Sequence, residues 1–415
     1  MSLTSILKSE PGMILPEQTD AAARAYPFAV RQALAFAKQL QCGELDVLMP
    51  DGQHFHFTGA EPGPKASMIV RDLGFARRLA GGGDIGIAEA YLHGEWETPD
   101  LTAFLKLFCL NQPMITRMMH GKPLARLVQM LGHWLNRNTK KGSRRNIEAH
   151  YDLGNSFYSA WLDPGMTYSA ALFKDKTTSL PEAQTAKFAA LARDIQLREG
   201  HHLLEIGCGW GGFAEYAARE CGARVTGLTI SPAQYEFAQK RIFEAGLTEK
   251  VTLKLQDYRD EKGTYDRIAS IEMFEAVGEA YWPAYFGQLR DRLAPGGMAG
   301  LQVITIEESI FARYRRELDF IRRYIFPGGM LPTPTILRGL GDKFGLKLSA
   351  ERAFGHDYAR TLDHWRDSFR LSWPSLTGLG FDERFRRMWE YYFAYCEAGF
   401  VTGMIDVKQM AFVKG

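Results

Sequence analysis

The run Glu205-Ile206-Gly207-Cys208-Gly209-Trp210-Gly211-Gly212 places a carboxylate and a set of spaced glycines directly after the apolar segment Leu203–Ile206. Glycine lets the backbone turn sharply and approach a ligand with no Cβ in the way. A loop of this kind between a strand and a helix suits a nucleotide-like ligand. A nicotinamide site would need an acid at the end of the second strand, and Thr226-Gly227-Leu228-Thr229-Ile230-Ser231 has none. No lysine follows the glycines, so the phosphate-cradling alternative also lacks its cation. A second constellation is Glu272 and Glu275, three positions apart, which share a face if the segment is helical. Neighbouring carboxylates push one pKa upward, and such a pair can position or take a proton; a helix cap and a surface acid are the alternative reading. Tyr358, in His356-Asp357-Tyr358, is a phenol that either donates to such a base or serves as a core tyrosine.

The elements that must hold these residues read as alternating strand and helix from about residue 146. Leu203–Ile206, Arg224–Leu228, Val251–Leu255, Arg267–Ile271 and Ala299–Val303 are short apolar strands. Helices are expected over Phe213–Glu220 and Pro232–Glu244, the latter with Ser231 as N-cap. Such alternation builds an α/β, mostly parallel sheet with helices on both faces, and ligands bind at the carboxyl ends of its strands. Ahead of it, Leu45–Leu48 and His54–Phe57 are period-two runs separated by Pro50-Asp51-Gly52, the punctuation of a hairpin in a small α+β domain. Between the two, 113–145 is an amphipathic, basic helical linker carrying Lys140, Lys141, Arg144 and Arg145. That pattern fits an anionic lipid surface, or else a packed helix with a solvated linker.

Bulk properties bound the rest. A chain of 415 residues exceeds one ordinary core, and 46% hydrophobic with 24% charged residues is the composition of a folded globular protein. A net charge of +2 does not suggest a nucleic-acid partner. Five scattered cysteines without CxxC spacing point away from a disulfide framework and from a zinc site, and no metal-ligand cluster stands out. With neither a secretory pattern nor a run of about 18 apolar residues, a cytoplasmic location is expected.

The wording Leu-Glu-Ile-Gly-Cys-Gly-Trp-Gly-Gly resembles motif I of the class I methyltransferases, with Gln256-Asp257-Tyr258 where such enzymes hold adenine and Leu293-Ala294-Pro295-Gly296-Gly297 before a later strand. Further segments resemble the cyclopropane-fatty-acyl-phospholipid synthases: His150–Asn155, Leu162–Ser169, Thr229–Gln234, Gln256–Asp260, Met273–Gly278 and Tyr324–Gly329. The resemblance implies a Rossmann-like class I methyltransferase domain over 146–415, with a seven-stranded sheet, and a sterol-carrier-like accessory domain over 1–112. It implies S-adenosylmethionine as cofactor, held by Tyr168, Ser169, Glu205, Gly207, Gly209, Thr229, Ile230, Gln234, Gln256, Asp257 and Tyr258. It implies catalytic roles for Glu275, Tyr358, Glu272 and Gln302, around a bicarbonate ion that acts as base in the family. Ala170 stands where the bacterial pattern has cysteine, Ala276 and Gln302 where it has histidines, and Glu272 at a position often glycine, so the bicarbonate pocket is incomplete by that pattern. The Glu272, Ala276 and Gln302 variants resemble plant-type members.

The implied reaction is transfer of a one-carbon unit to the cis double bond of unsaturated acyl chains of membrane phospholipids. Loss of a proton from the new methyl closes a cyclopropane; a hydride shift instead leaves a methyl or methylene branch. The aromatic-rich C-terminal part, including Phe311, Tyr324, Phe326, Trp365, Phe369, Trp389 and Tyr391, supplies candidates for an apolar passage, though most such residues form core. The expected partner is unsaturated phospholipid at the membrane surface, with peripheral association. Small-molecule C-methylation and a non-catalytic lipid-binding role are the rival functions, and a homodimer is left open.

Overall fold

The computed structural model describes residues 13–112 and 153–415; the basic linker 113–145 and the His150–Asp152 part of its following motif lie outside the described residues. The chain separates into two compact units.

The larger unit holds a seven-stranded sheet in the order β10-β11-β9-β8-β5-β6-β7. Its strands are β5 (His202–Ile206), β6 (Arg224–Thr229), β7 (Val251–Leu255), β8 (Tyr265–Ile271), β9 (Leu293–Ile306), β10 (Leu346–Ala353) and β11 (Ile405–Lys414). The pairs from β9 through β7 are parallel, and β11 joins β9 and β10 antiparallel. Because side chains alternate along a strand, adjacent residues feed opposite cores. Leu204 of β5 and Ile268 of β8 pack with Phe286, Leu289 and Leu337. Leu203 and Ala269 pack with Leu191, Phe213 and Ile242. Both faces are thus buried under helices, and nearly continuous apolar strands result. The helix Pro232–Glu244 begins as its sequence indicates, with the Ser231 Oγ accepting from the Gln234 N–H.

The smaller unit carries a four-stranded sheet, order β2-β1-β3-β4, from β1 (Cys42–Leu48), β2 (His54–Thr58), β3 (Glu61–Val70) and β4 (Trp96–Glu97). β1 and β2 form the expected antiparallel hairpin, whereas β1 and β3 are parallel. The glycine-rich stretch from Gly81 to Gly86 lies inside a helical region, Gly74–Leu92, kinked at Gly83.

The division of the chain differs from the contiguous one expected from sequence. Helix Glu383–Val401 belongs to the smaller unit, with residues 377–402, and not to a catalytic domain running unbroken from 146 to 415. Its reason is a partly polar, partly aromatic seam. Thr102 donates to Glu397 at 2.8 Å, Arg387 pairs with Glu97 at 3.0 Å, and the Tyr391 ring lies 5.7 Å from that of Tyr91. Trp389 and Tyr391 therefore belong to this core. Among the described residues no helix is long and apolar enough to cross a membrane.

Candidate active site

The glycine loop leaves β5 at its carboxyl end. Gly207, Gly209 and Gly211 all adopt positive φ, +82°, +52° and +83°, which explains the residue type. The Gly207 and Cys208 N–H groups both donate to the Leu228 carbonyl, at 3.0 and 2.8 Å, tying the loop to β6. A Cβ on Gly207 would lie 2.8 Å from the Met273 side chain, whereas a Cβ on Gly209 would meet no described residue within 4 Å. Among the described residues, Gly209 therefore opens on free space at the carboxyl end of the sheet. Glu205 is buried beside it, with one carboxylate oxygen lacking a hydrogen-bond partner among the described residues. Burial pushes its pKa up to about 8, against the pull of the Arg241 guanidinium. An open glycine cradle and an unsatisfied buried carboxyl fit a polar ligand.

The other residues assigned to the cofactor fall around this loop in part. Thr229 donates to the Gln234 Oε1 at 2.9 Å, the Ser231 N–H donates to the Thr229 hydroxyl, and the Gln256 N–H donates to the Thr229 carbonyl at 2.9 Å. Ile230, half-buried, lies between these contacts. Both carboxylate oxygens of Asp257 accept from Arg259, whose guanidinium also covers the Tyr258 ring. The Tyr168 ring sits among Trp365, Tyr158, Trp161 and Phe326, at centroid distances of 5.2, 5.5, 5.7 and 6.5 Å.

The two glutamates are not on one helix. Glu272 follows the last residue of β8 with φ +49°, a left-handed conformation uncommon outside glycine, and Glu275 lies in the short 3₁₀ turn Phe274–Ala276. Neither is a surface acid or a cap: both residues are half-buried, and desolvation raises the pKa of each. The Glu272 N–H is fixed to the Gln302 carbonyl at 2.8 Å. Its carboxylate collects three donors: the Ala170 N–H at 2.8 Å, the Gln302 amide at 2.7 Å and the Tyr358 hydroxyl at 2.6 Å. The anion expected between these groups is thus supplied by the chain. The donors that a bicarbonate ion would use there are bonded to Glu272, so the pocket does not fit a further anion at this position.

Burial raises the Glu272 pKa, while the Lys187 ammonium, Tyr358, Gln302 and the Ala170 N–H oppose the rise. Glu275 has one oxygen accepting from the Ile304 N–H and the other without a partner among the described residues. Burial, with the neighbouring charge of Glu272, pushes it up to about 8. Burial thus disfavours the anion at both sites, but only Glu272 has a cation and three donors opposing the rise, so the two environments differ.

Sequence reasoning missed Lys187. It lies in helix Leu180–Asp194, is fully buried, and donates to the Ser169 hydroxyl at 2.6 Å. Burial pulls its pKa down to about 7, opposed by Glu272 and Asp163. Its position between Ala183 and Leu191, four residues either way on one buried helix stripe, was the available signal. Gln409 of β11 was also missed; its amide donates to the Gln302 Oε1 and to the Lys187 carbonyl, both at 3.1 Å.

Residues 138–410 match the mycolic acid cyclopropane synthetase family. The chain is 38% identical over 365 residues to a tuberculostearic acid methyltransferase of Mycobacterium tuberculosis, covering 86% of this chain and 84% of the relative. It is 35% identical over 352 residues to a cyclopropane-fatty-acyl-phospholipid synthase of Escherichia coli, covering 84% and 88%. Among solved structures, the cyclopropane synthase MmaA2 from Mycobacterium tuberculosis superposes with a TM-score of 0.62 at 31% identity, over 65% of this chain and 98% of that one. A mycolic acid cyclopropane synthase complexed with SAH and CTAB gives the same TM-score at 30% identity, over the same shares of the two chains. S-adenosylmethionine is therefore the cofactor, and lipid acyl chains are the substrate class. The chain belongs to the mycolic acid cyclopropane synthetase family of S-adenosylmethionine-dependent methyltransferases.

Proposed function

We propose that the enzyme adds a one-carbon unit to the cis double bond of unsaturated phospholipid acyl chains and closes a cyclopropane ring, with Glu272 as the base. The observation that carries this reading is the Glu272 carboxylate, which follows β8 beside the glycine-loop strand β5 and is held by three donors, from the Ala170 backbone, Gln302 of β9 and Tyr358 of helix Gly355–Thr377. Bound cofactor supplies an electrophilic methyl on a sulfonium. Gly207, Gly209 and Glu205 at the end of β5 would hold it, together with Ser169, Tyr168, Gln256, Asp257 and Tyr258.

An isolated alkene is a weak nucleophile, so the chain must contribute proximity and exclusion of water. The half-buried rings of Tyr168 and Phe326 offer apolar faces that favour positive charge without trapping it, and the fully buried Trp161 and Trp365 pack behind Tyr168. Methyl transfer leaves a cation on the acyl chain. Glu272 takes a proton from the new methyl, and the electrons of that C–H bond close the ring. Tyr358 and Gln302 keep the carboxylate aimed while it is ionised, and burial together with the Glu272 charge disfavours a second anion at Glu275.

A branched product is the second reading, favoured by the similarity to a tuberculostearic acid methyltransferase. A phospholipid substrate requires a visit to the membrane surface, for which Lys140, Lys141, Arg144 and Arg145 are the candidate contacts. Incubation with S-adenosylmethionine and monounsaturated phospholipid vesicles, followed by mass spectrometry of the released fatty acids, tests the proposal. A chain one CH₂ heavier with no double bond supports it. A product one CH₂ heavier that retains an alkene establishes branching, and no added carbon on any lipid overturns both readings.

A further inference from the structure

A chain of hydrogen bonds runs from a partly exposed ion pair to the candidate base, and one guanidinium determines its direction. Arg352 of β10 pairs with Asp194 at 2.9 Å and donates through the same nitrogen to the Gln409 Oε1, also at 2.9 Å. Arginine has donors and no acceptor, so the carbonyl end of the Gln409 amide must face Arg352. Its NH₂ group then points the other way, to the Gln302 Oε1 and the Lys187 carbonyl, each at 3.1 Å. The Gln302 NH₂ is consequently turned to the Glu272 carboxylate at 2.7 Å and the Ala170 carbonyl at 3.3 Å.

The sheet supplies this geometry directly. Arg352 and Gln409 are cross-strand partners, as are Gln409 and Gln302, and Gln302 pairs with Ile271, the residue before Glu272. Directly opposed residues share a face, so their side chains meet in sequence. Gln302 and Gln409 are essentially inaccessible to solvent, and either amide reversed would set two carbonyls or two NH₂ groups against each other.

We propose that Arg352 and Gln409 are positioning residues for the reaction, fixing the Gln302 amide so that its donor end faces Glu272. The inference rests on the reading of Glu272 as base. The other groups facing Glu272 are Lys187 from helix Leu180–Asp194, Glu275 from the 3₁₀ turn and Tyr358 from helix Gly355–Thr377. All remain intact in the variants that follow.

The experiment is the pH profile of kcat/KM on monounsaturated phospholipid vesicles for R352M, R352K, Q409E and E272Q, together with SAH affinity by calorimetry. In Q409E the carboxylate only accepts, so Gln302 turns its NH₂ toward it and its carbonyl toward Glu272. Loss of a donor to an ionised group predicts a fall of about tenfold or more and an acidic limb moved up by about one pH unit. R352M releases the constraint and gives the same direction with a smaller shift, which keeps the test open if Q409E does not fold. R352K retains a donor and restores the wild-type profile; SAH affinity is unchanged throughout. Acidic limbs of R352M and Q409E that superpose on wild type, with E272Q inactive, overturn the proposal alone. An active E272Q with an unaltered acidic limb overturns the base assignment, and the inference with it.

Discussion

Replacing Tyr358 by phenylalanine removes one oxygen and little else. The ring is almost fully buried, edge-on to Trp365 at 6.1 Å, and phenylalanine fills the same space. What is lost is the 2.6 Å hydrogen bond to Glu272, short enough to be charge-assisted. A bond to an ionised group contributes about 1.5–3 kcal/mol, and it favours the carboxylate over the carboxylic acid. At about 1.4 kcal/mol per pKa unit, Glu272 should titrate roughly one to two units higher in Tyr358→Phe. Its pKa is already raised by burial, so the change moves the acidic limb of activity further toward neutral pH. Activity below the new limb should fall about ten- to hundredfold and recover above it, because the ionised base is restored there. The assay is kcat/KM for the lipid substrate over about pH 5 to 9, with the melting temperature as a control. A uniform loss with the acidic limb unmoved would refute the assignment of Tyr358 as a partner of the base.

Further outcomes follow from the same geometry. Lys187→Met removes the cation that opposes Glu272 protonation and should shift the acidic limb in the same direction as Tyr358→Phe, read in the same profile. Glu275 titrates near 8 when folded and near 4.5 when unfolded, so the unfolded chain releases its proton first and stability falls as pH rises between those values. Glu275→Gln should abolish that slope, leaving stability below pH 4 unchanged and raising it most above pH 8, as measured by urea unfolding. Gly209→Ala meets no atom of the described residues within 4 Å but projects into the open cradle at φ +52°. It should cost about 1 kcal/mol of stability through backbone strain while weakening SAH binding at least about tenfold, an imbalance that calorimetry and thermal melts resolve together.

Five of the seven strands were legible because they contain short apolar runs punctuated by glycine or a capping serine, although β9 extends well beyond the run that marked it; β10 and β11 were not singled out. Helix Pro232–Glu244 starts and ends where its sequence says, since Ser231 and Pro232 fix its beginning through local chemistry. The glycine loop was legible for the same reason: positive φ at Gly207, Gly209 and Gly211 is a local demand. Long-range placement was not. That Glu272 bends off β8 in a left-handed conformation, instead of sharing a helix face with Glu275, depends on the Gln302 carbonyl and Tyr358, which are 30 and 86 residues away along the chain. Burial of Lys187 depends on Ser169 and on the Glu272 charge arriving beside it, and a lysine in a helix ordinarily reads as solvated. Gln409 carries no local signature of chemistry; only antiparallel pairing of β11 with β9 brings it opposite Gln302. The return of helix Glu383–Val401 to the smaller unit was hidden likewise, because its aromatic stripe suits any core.

The central claim, that Glu272 takes its proton from the newly transferred methyl, is tested most directly with trideuteromethyl-labelled S-adenosylmethionine. The enzyme is incubated with monounsaturated phospholipid vesicles, and the fatty acids are analysed by mass spectrometry for deuterium content and for remaining double bonds. Two of the three labels retained in a saturated ring, with the product lost in E272Q, is the predicted result. Retention of all three labels would place the lost proton elsewhere on the acyl chain and contradict the account.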